Sequence, residues 1–174
     1  MCWLIVSSIR ERAILKTIDI AAENQIRFVS GGSGCNMGIW VSHVLTNRFL
    51  IDEAFPLYGW LEDSDFSQRL SRDGWSVKAS QLRGVHFDIK SGRTSEYSLS
   101  YRQIANRRYL CRKGTMQSQI ALGQIGANIC KNVIRLLCPE PWTDRKGRLR
   151  DNILGMVDLL AGRLDPRRIL SIHE

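Results

Sequence analysis

Gly59-Trp60-Leu61-Glu62-Asp63-Ser64-Asp65-Phe66-Ser67-Gln68-Arg69-Leu70 is the stretch whose reading decides how the rest of the chain is understood. Its carboxylates sit in what reads as a first helical turn, where the positive end of the helix dipole favours them, and Arg69 and Arg72 fall near the far end. Phe66 and Leu70, four apart, share one face and are expected in the core. The spacing predicts a helix over 62–72 with Gly74 as its terminator. Glu62 and Asp65 lie three apart on one face while Asp63 points elsewhere, so one carboxylate can be structural and another free for acid–base work. The plain alternative is a solvated N-terminal turn. Asp63-Ser64-Asp65 also spells D-x-D, but no buried strand precedes it, so it is not read as a metal motif.

Upstream, Ile26 to Val29 reads as a short strand that breaks into Ser30-Gly31-Gly32-Ser33-Gly34-Cys35-Asn36-Met37. The glycines fit either a turn or a place where another backbone or a sugar comes close. They do not make a nucleotide fingerprint, because Met37 occupies the third glycine position of G-x-G-x-x-G and no Gly-Lys-Ser/Thr closes a P-loop. Residues 1–6 read as a strand, Ile9 to Asn24 as a helix, Trp40 to Phe49 as a helix, and Phe49 to Tyr58 as an irregular connection. Trp75 to Ala79 and Arg83 to Phe87 have strand character. Three helical patterns follow, Tyr97 to Lys113, Gln117 to Leu137 and Leu149 to Leu160, with Pro139 and Pro141 dividing the last two. His86, at the end of a predicted strand between apolar neighbours, is either a core residue or a ligand.

With 174 residues, 44% hydrophobic and 24% charged, the chain can build its own core, which excludes disordered, collagen-like and mini-protein classes. Five cysteines without a C-x-x-C pair suggest neither a zinc ribbon nor a disulfide framework and fit a reduced, cytoplasmic setting. The net charge is +8, and its placement is uneven. Residues 1–100 hold 11 basic and 11 acidic side chains, whereas residues 101–174 hold 14 basic and 6 acidic. The expectation is therefore an α/β region over 1–96 and a basic helical extension over 97–174.

Taken in order, Gly32 to Met37, Phe49-Leu50-Ile51-Asp52-Glu53-Ala54-Phe55, Tyr58-Gly59 with Glu62 to Arg69, Gly74, and Val85-His86 resemble the acceptor-side half of family 2 glycosyltransferases. Asn106 to Lys113, Arg148 to Gly155 and Gly162 to Arg167 resemble the tail of bacterial members that build cell-surface polysaccharides. The resemblance implies a partial GT-A (nucleotide-diphospho-sugar transferase) fold and inverting transfer from a nucleotide-diphospho-sugar to a saccharide or lipid-linked acceptor. It implies that Asp63 is the base, that Glu62 and Asp65 bind the acceptor or hold the helix start, and that Gly32, Gly34 and Asn36 form the loop where the two sugars meet. It further implies a divalent cation, Mn²⁺ or Mg²⁺, for the intact fold, with His86 matching a metal or diphosphate contact.

Two departures stand beside it. Only 30 residues precede Gly31 and no D-x-D lies among them, so the donor half is expected to be missing and the chain inactive by itself. Leu61 sits where a small residue is common. The basic tail is expected to lie at the inner face of the plasma membrane through Ile120, Ile125, Ile129, Val133, Ile134 and Leu137, or to pack on the domain or on a second copy. A non-catalytic basic module or scaffold is the alternative. No nucleic-acid motif occurs, and the aromatics are not interleaved with the basic residues as a stacking platform requires.

Overall fold

The computed structural model describes residues 2–7, 26–32, 34, 37–57, 59–72, 74–79, 97–141 and 143–172. The helix expected over Ile9 to Asn24 and the strand expected over Arg83 to Phe87 lie outside them. The protein is mixed α/β, with more helix than strand. It divides into two compact units, 1–52 with 62–89, and 53–61 with 90–174. This differs from the expected division at 96/97 chiefly in Glu53–Leu61, which belongs with the helical unit.

The first unit carries a four-stranded sheet in the order β2-β4-β1-β3, formed by β1 (Cys2–Ser7), β2 (Ile26–Val29), β3 (Met37–Ile39) and β4 (Gly74–Ala79). β4 runs antiparallel to both neighbours, with Leu4 and Phe28 both opposite Val77. β3 is an edge strand parallel to β1, with Trp3 opposite Met37 and Ile5 opposite Ile39. Two helices among the described residues belong to this unit, α1 (Val41–Thr46) and α2 (Glu62–Leu70). The expected pairing of Phe66 with Leu70 is what packs α2: both are buried, and Met37, Ile39, Val44 and Phe49 close around them. Each such side chain contributes about 1.5–3 kcal/mol on leaving water.

One expectation fails at the end of α2. Gly74 does not terminate the helix; it opens β4. The helix has already closed through the Ser71 N–H to the Ser67 carbonyl at 3.0 Å, and the Ser71 hydroxyl bonds the same carbonyl at 2.7 Å. A serine that satisfies a terminal carbonyl with both backbone and side chain leaves no need for a glycine cap.

The second unit is built from α3 (Tyr97–Lys113), α4 (Ser118–Ile134), α5 (Arg145–Leu160) and a 3₁₀ turn, Pro166–Ser171. Tyr101, Ile104 and Ala105 of α3 meet Ile125, Leu164 and Ile169 in its core. α3 is central, and it buries polar groups as well as apolar ones, including Arg102, Asn106 and Arg107. Asn106 donates to the Trp60 carbonyl at 2.6 Å, and the Arg107 guanidinium lies 4.4 Å above the Trp60 ring while its Nε reaches Gln124 at 2.8 Å. Phe55 meets Tyr109 edge to face. These contacts hold Glu53–Leu61 to the helices, and burial pulls the Arg107 guanidinium down to about 10.

α5 begins at Arg145, four residues earlier than its apolar spacing predicts, because Asp144 caps it by accepting from the Gly147 N–H at 2.8 Å. The capped first turn is polar and carries no periodicity to read. The membrane-facing set expected on α4 also divides: Ile125 is buried and Ile129 packs against the core, whereas Ile120, Val133, Ile134 and Leu137 stay exposed. No helix among the described residues is long and apolar enough to cross a membrane.

Candidate functional site

The first turn of α2 carries the acidic cluster, and its three carboxylates have three different surroundings. Asp65 is buried and accepts from the Arg69 Nε one turn later at 3.0 Å. Arg69 also donates to the Leu50 carbonyl at 2.7 Å, so the pair ties the helix to the connection before it. Of the two roles expected for Asp65, this geometry is that of holding the helix. Glu62 is half-buried, and burial together with the neighbouring Asp63 charge pushes its carboxyl above the usual range.

Asp63 faces the glycine loop. Its Oδ2 accepts the Gly34 N–H at 2.6 Å, and its Oδ1 accepts the N–H of Ser64 at 2.8 Å. Two backbone donors fix the carboxylate in one orientation, yet each oxygen keeps a second lone pair for another donor. The loop is held at a second point, where the Gly32 N–H donates to the Ser67 hydroxyl at 2.8 Å. That hydroxyl lies 3.2 Å from the carbonyls of both Gly32 and Ser64.

The glycines are what let the loop sit this close. A Cβ on Gly34 would lie 3.1 Å from the Asp63 Cβ and 3.3 Å from its Oδ2. A Cβ on Gly31 would meet the Gln68 Cγ at 3.0 Å and the Ser67 hydroxyl at 3.1 Å. The residue leading into the helix, Leu61, holds φ at +75°, a left-handed conformation that costs a non-glycine residue about 1–2 kcal/mol.

Gly32, Gly34, Glu62, Asp63 and Asp65 are therefore brought to one helix end, while Asn36 and His86 lie outside the described residues. Among the described residues no three histidine, cysteine or acidic side chains converge as a metal site would require. Asp65 is committed to Arg69 and each Asp63 oxygen accepts an N–H group, so no step is routed through the divalent cation that the resemblance implies. Ser67, which clamps the loop, belongs to no motif that would assign it this role from the sequence. A serine between Phe66 and Leu70 on a buried face was the available signal.

No protein-family model, curated protein or solved structure matches the chain.

The helical unit holds two more buried carboxylates. Asp158 accepts from the Arg168 Nε at 2.6 Å, the Arg163 Nε at 2.9 Å and the Tyr101 hydroxyl at 3.0 Å. Burial works against its charge, but the donors from Arg168, Tyr101 and Arg163 outweigh it and hold the carboxyl below the usual range. Asp151 is equally hidden, yet its Oδ2 has no hydrogen-bond partner among the described residues, and burial pushes this carboxyl up to about 6.

Proposed function

We propose that this chain is the acceptor-side portion of an inverting, family 2 type glycosyltransferase of GT-A architecture, with Asp63 as its base. The observation that carries the reading is the Gly34 N–H on the Asp63 Oδ2, which holds the glycine loop against the helix end bearing the carboxylate. In transfer, the acceptor O–H gives its proton to Asp63 as the oxygen bonds the anomeric carbon. On the opposite face the bond from that carbon to the nucleotide diphosphate breaks, its electrons leave with the diphosphate, and the centre inverts. A carboxylate suits the step because the alcohol becomes acidic only as the new bond forms.

The internal use of the basic residues favours this reading over a nucleic-acid module. Arg102, Arg107 and Arg145 are buried, and Arg163 and Arg168 are bound to Asp158, so much of the tail's positive charge is spent within the fold. The exposed Ile134 and Leu137 near Lys131 support a peripheral contact at an anionic membrane surface, where the lipid-linked acceptor would reside.

The test is a transfer assay on the full chain with UDP- and dTDP-sugars and saccharide acceptors, with and without Mn²⁺, alongside acceptor titration. The full chain is expected to bind saccharide acceptors, and Asp63→Asn to keep that binding while lowering any transfer by about 10²- to 10⁴-fold. Unchanged transfer by Asp63→Asn, or an absence of both transfer and acceptor binding, overturns the proposal. A chain that floats with anionic liposomes at low salt supports the membrane contact, and one left in the soluble fraction removes it.

A further inference from the structure

The start of α5 forms one wall of a cleft of about 470 Å³, whose lining includes Asp144, Lys146, Arg150, Asp151, Leu154 and Ile172. The volume is that of a small-ligand site. Lys146 and Arg150, one turn apart, are the cations among the described lining residues, and the Asp144 carboxylate is engaged as the helix cap. Lys146 stands in the first turn of a sixteen-residue helix, where the dipole adds positive potential.

Asp151 is the anomaly of this wall. It is 4% exposed, and its Oδ2 accepts no hydrogen bond among the described residues. A buried acceptor without a donor is costly, and the cost is relieved by a ligand that brings one. Asp158, two turns further along the same helix, shows how the fold satisfies a buried carboxylate that it uses for structure. Asp151 has been given no such set.

We infer that this cleft is a second binding site, independent of Asp63, for a small hydroxylated phosphate of the sugar-phosphate or polyol-phosphate type. A turn of the Asp151 side chain toward the cleft lets a ligand hydroxyl donate to its carboxylate, the phosphate lies against Lys146 and Arg150, and the C–H face of the ring rests on Leu154 and Ile172. Each requirement comes from a different part of the wall, so the class is narrower than an anion alone. Lys146 and Arg150 also border a neighbouring apolar hollow with Leu136, Leu149 and Ile153. The same chemistry can therefore arrive free in water or as the headgroup of a lipid whose chain enters the hollow.

The full chain is titrated calorimetrically with glucose 1-phosphate, inorganic phosphate and glucose, and tested at about 0.15 M salt for co-flotation with phosphatidylcholine vesicles containing equal fractions of phosphatidylserine or of phosphatidylinositol. The expected result is that glucose 1-phosphate binds at least about tenfold more tightly than phosphate or glucose, or that only the inositol-lipid vesicles capture the chain. The first outcome assigns a soluble ligand and the second a lipid headgroup. Asp151→Leu is expected to unfold at a higher temperature than the wild type and yet lose the interaction by about tenfold or more, as is the conservative surface variant Arg150→Gln without the gain in stability. Failure of both probes, equal binding of phosphate alone, or full binding by Asp151→Leu overturns the site. None of these outcomes depends on Asp63, so the glycosyltransferase reading stands or falls separately.

Discussion

The end of α2 and the body of α5 both gather carboxylates, and they place them under different constraints. On α2, Asp63 and Asp65 are each answered within reach, by backbone N–H groups for the first and by Arg69 for the second. On α5 the answer is uneven: Asp158 receives three donors, whereas the Asp151 Oδ2 receives none. On α5, what separates the structural Asp158 from the candidate functional Asp151 is whether the fold supplies its partners, since both are buried.

The comparison breaks most severely at Asp158. Asp158→Ala leaves the buried Tyr101 hydroxyl without its acceptor and frees two arginines that can turn to solvent, so a loss of about 2–4 kcal/mol is expected in urea unfolding. A loss below 1 kcal/mol would mean that the three donors are not working together.

Asp151 has the opposite sign. Its carboxyl is raised to about 6 by burial, with Arg150 lowering it and Asp144 raising it in smaller measure. The native state therefore holds the proton more tightly than the unfolded chain, and stability should fall as pH rises from about 4 through about 6. Asp151→Asn is expected to remove that slope and to gain roughly 1–3 kcal/mol at pH 7. A variant whose pH profile overlays the wild type would show that Asp151 is partnered after all.

At the α2 end, Gly34→Ala is expected to cost about 1–2 kcal/mol and to loosen the loop, because the added methyl must displace the Asp63 side chain or break its N–H bond. Amide exchange at Gly34 is the readout, and unchanged protection would detach the loop from the acidic turn.

The smallest effects come from a matched pair. Leu61→Gly relieves a left-handed backbone and Gly126→Ala fills open space on α4, and each should stabilise by about 0.5–1 kcal/mol. If Leu61→Gly instead destabilises, the Leu61 side chain is contributing more than its backbone strain costs.

Much of this contrast was legible in the sequence, and the illegible part has physical causes. The pattern over Tyr97 to Lys113 coincides with α3, the run Ile26 to Val29 with β2, and Phe66 with Leu70 reported the buried face of α2. The three residues of β3 gave no local signal, because their strand character comes from pairing with β1, which is distant in sequence. Arg102, Asn106 and Arg107 are polar residues at buried positions, which hides the centrality of α3 from any hydrophobic reading. The acidic turn announced itself by composition. Asp151 did not, since an aspartate between Arg150 and Asn152 looks like surface until the helix packing buries it.

The hold of α3 on Trp60 has a consequence for how the molecule can be made. Asn106 and Trp60 are 46 positions apart, and the residues on either side of Glu53–Leu61 belong to the sheet-bearing unit. No single cut in the gene separates the two units. A helical fragment expressed from residue 97 onward would lack the indole that Arg107 covers, and during synthesis Glu53–Leu61 leaves the ribosome well before the helix that will receive it. The segment must wait, uncommitted, until its receptor exists, and a pause in translation after residue 61 should prolong its sensitivity to protease.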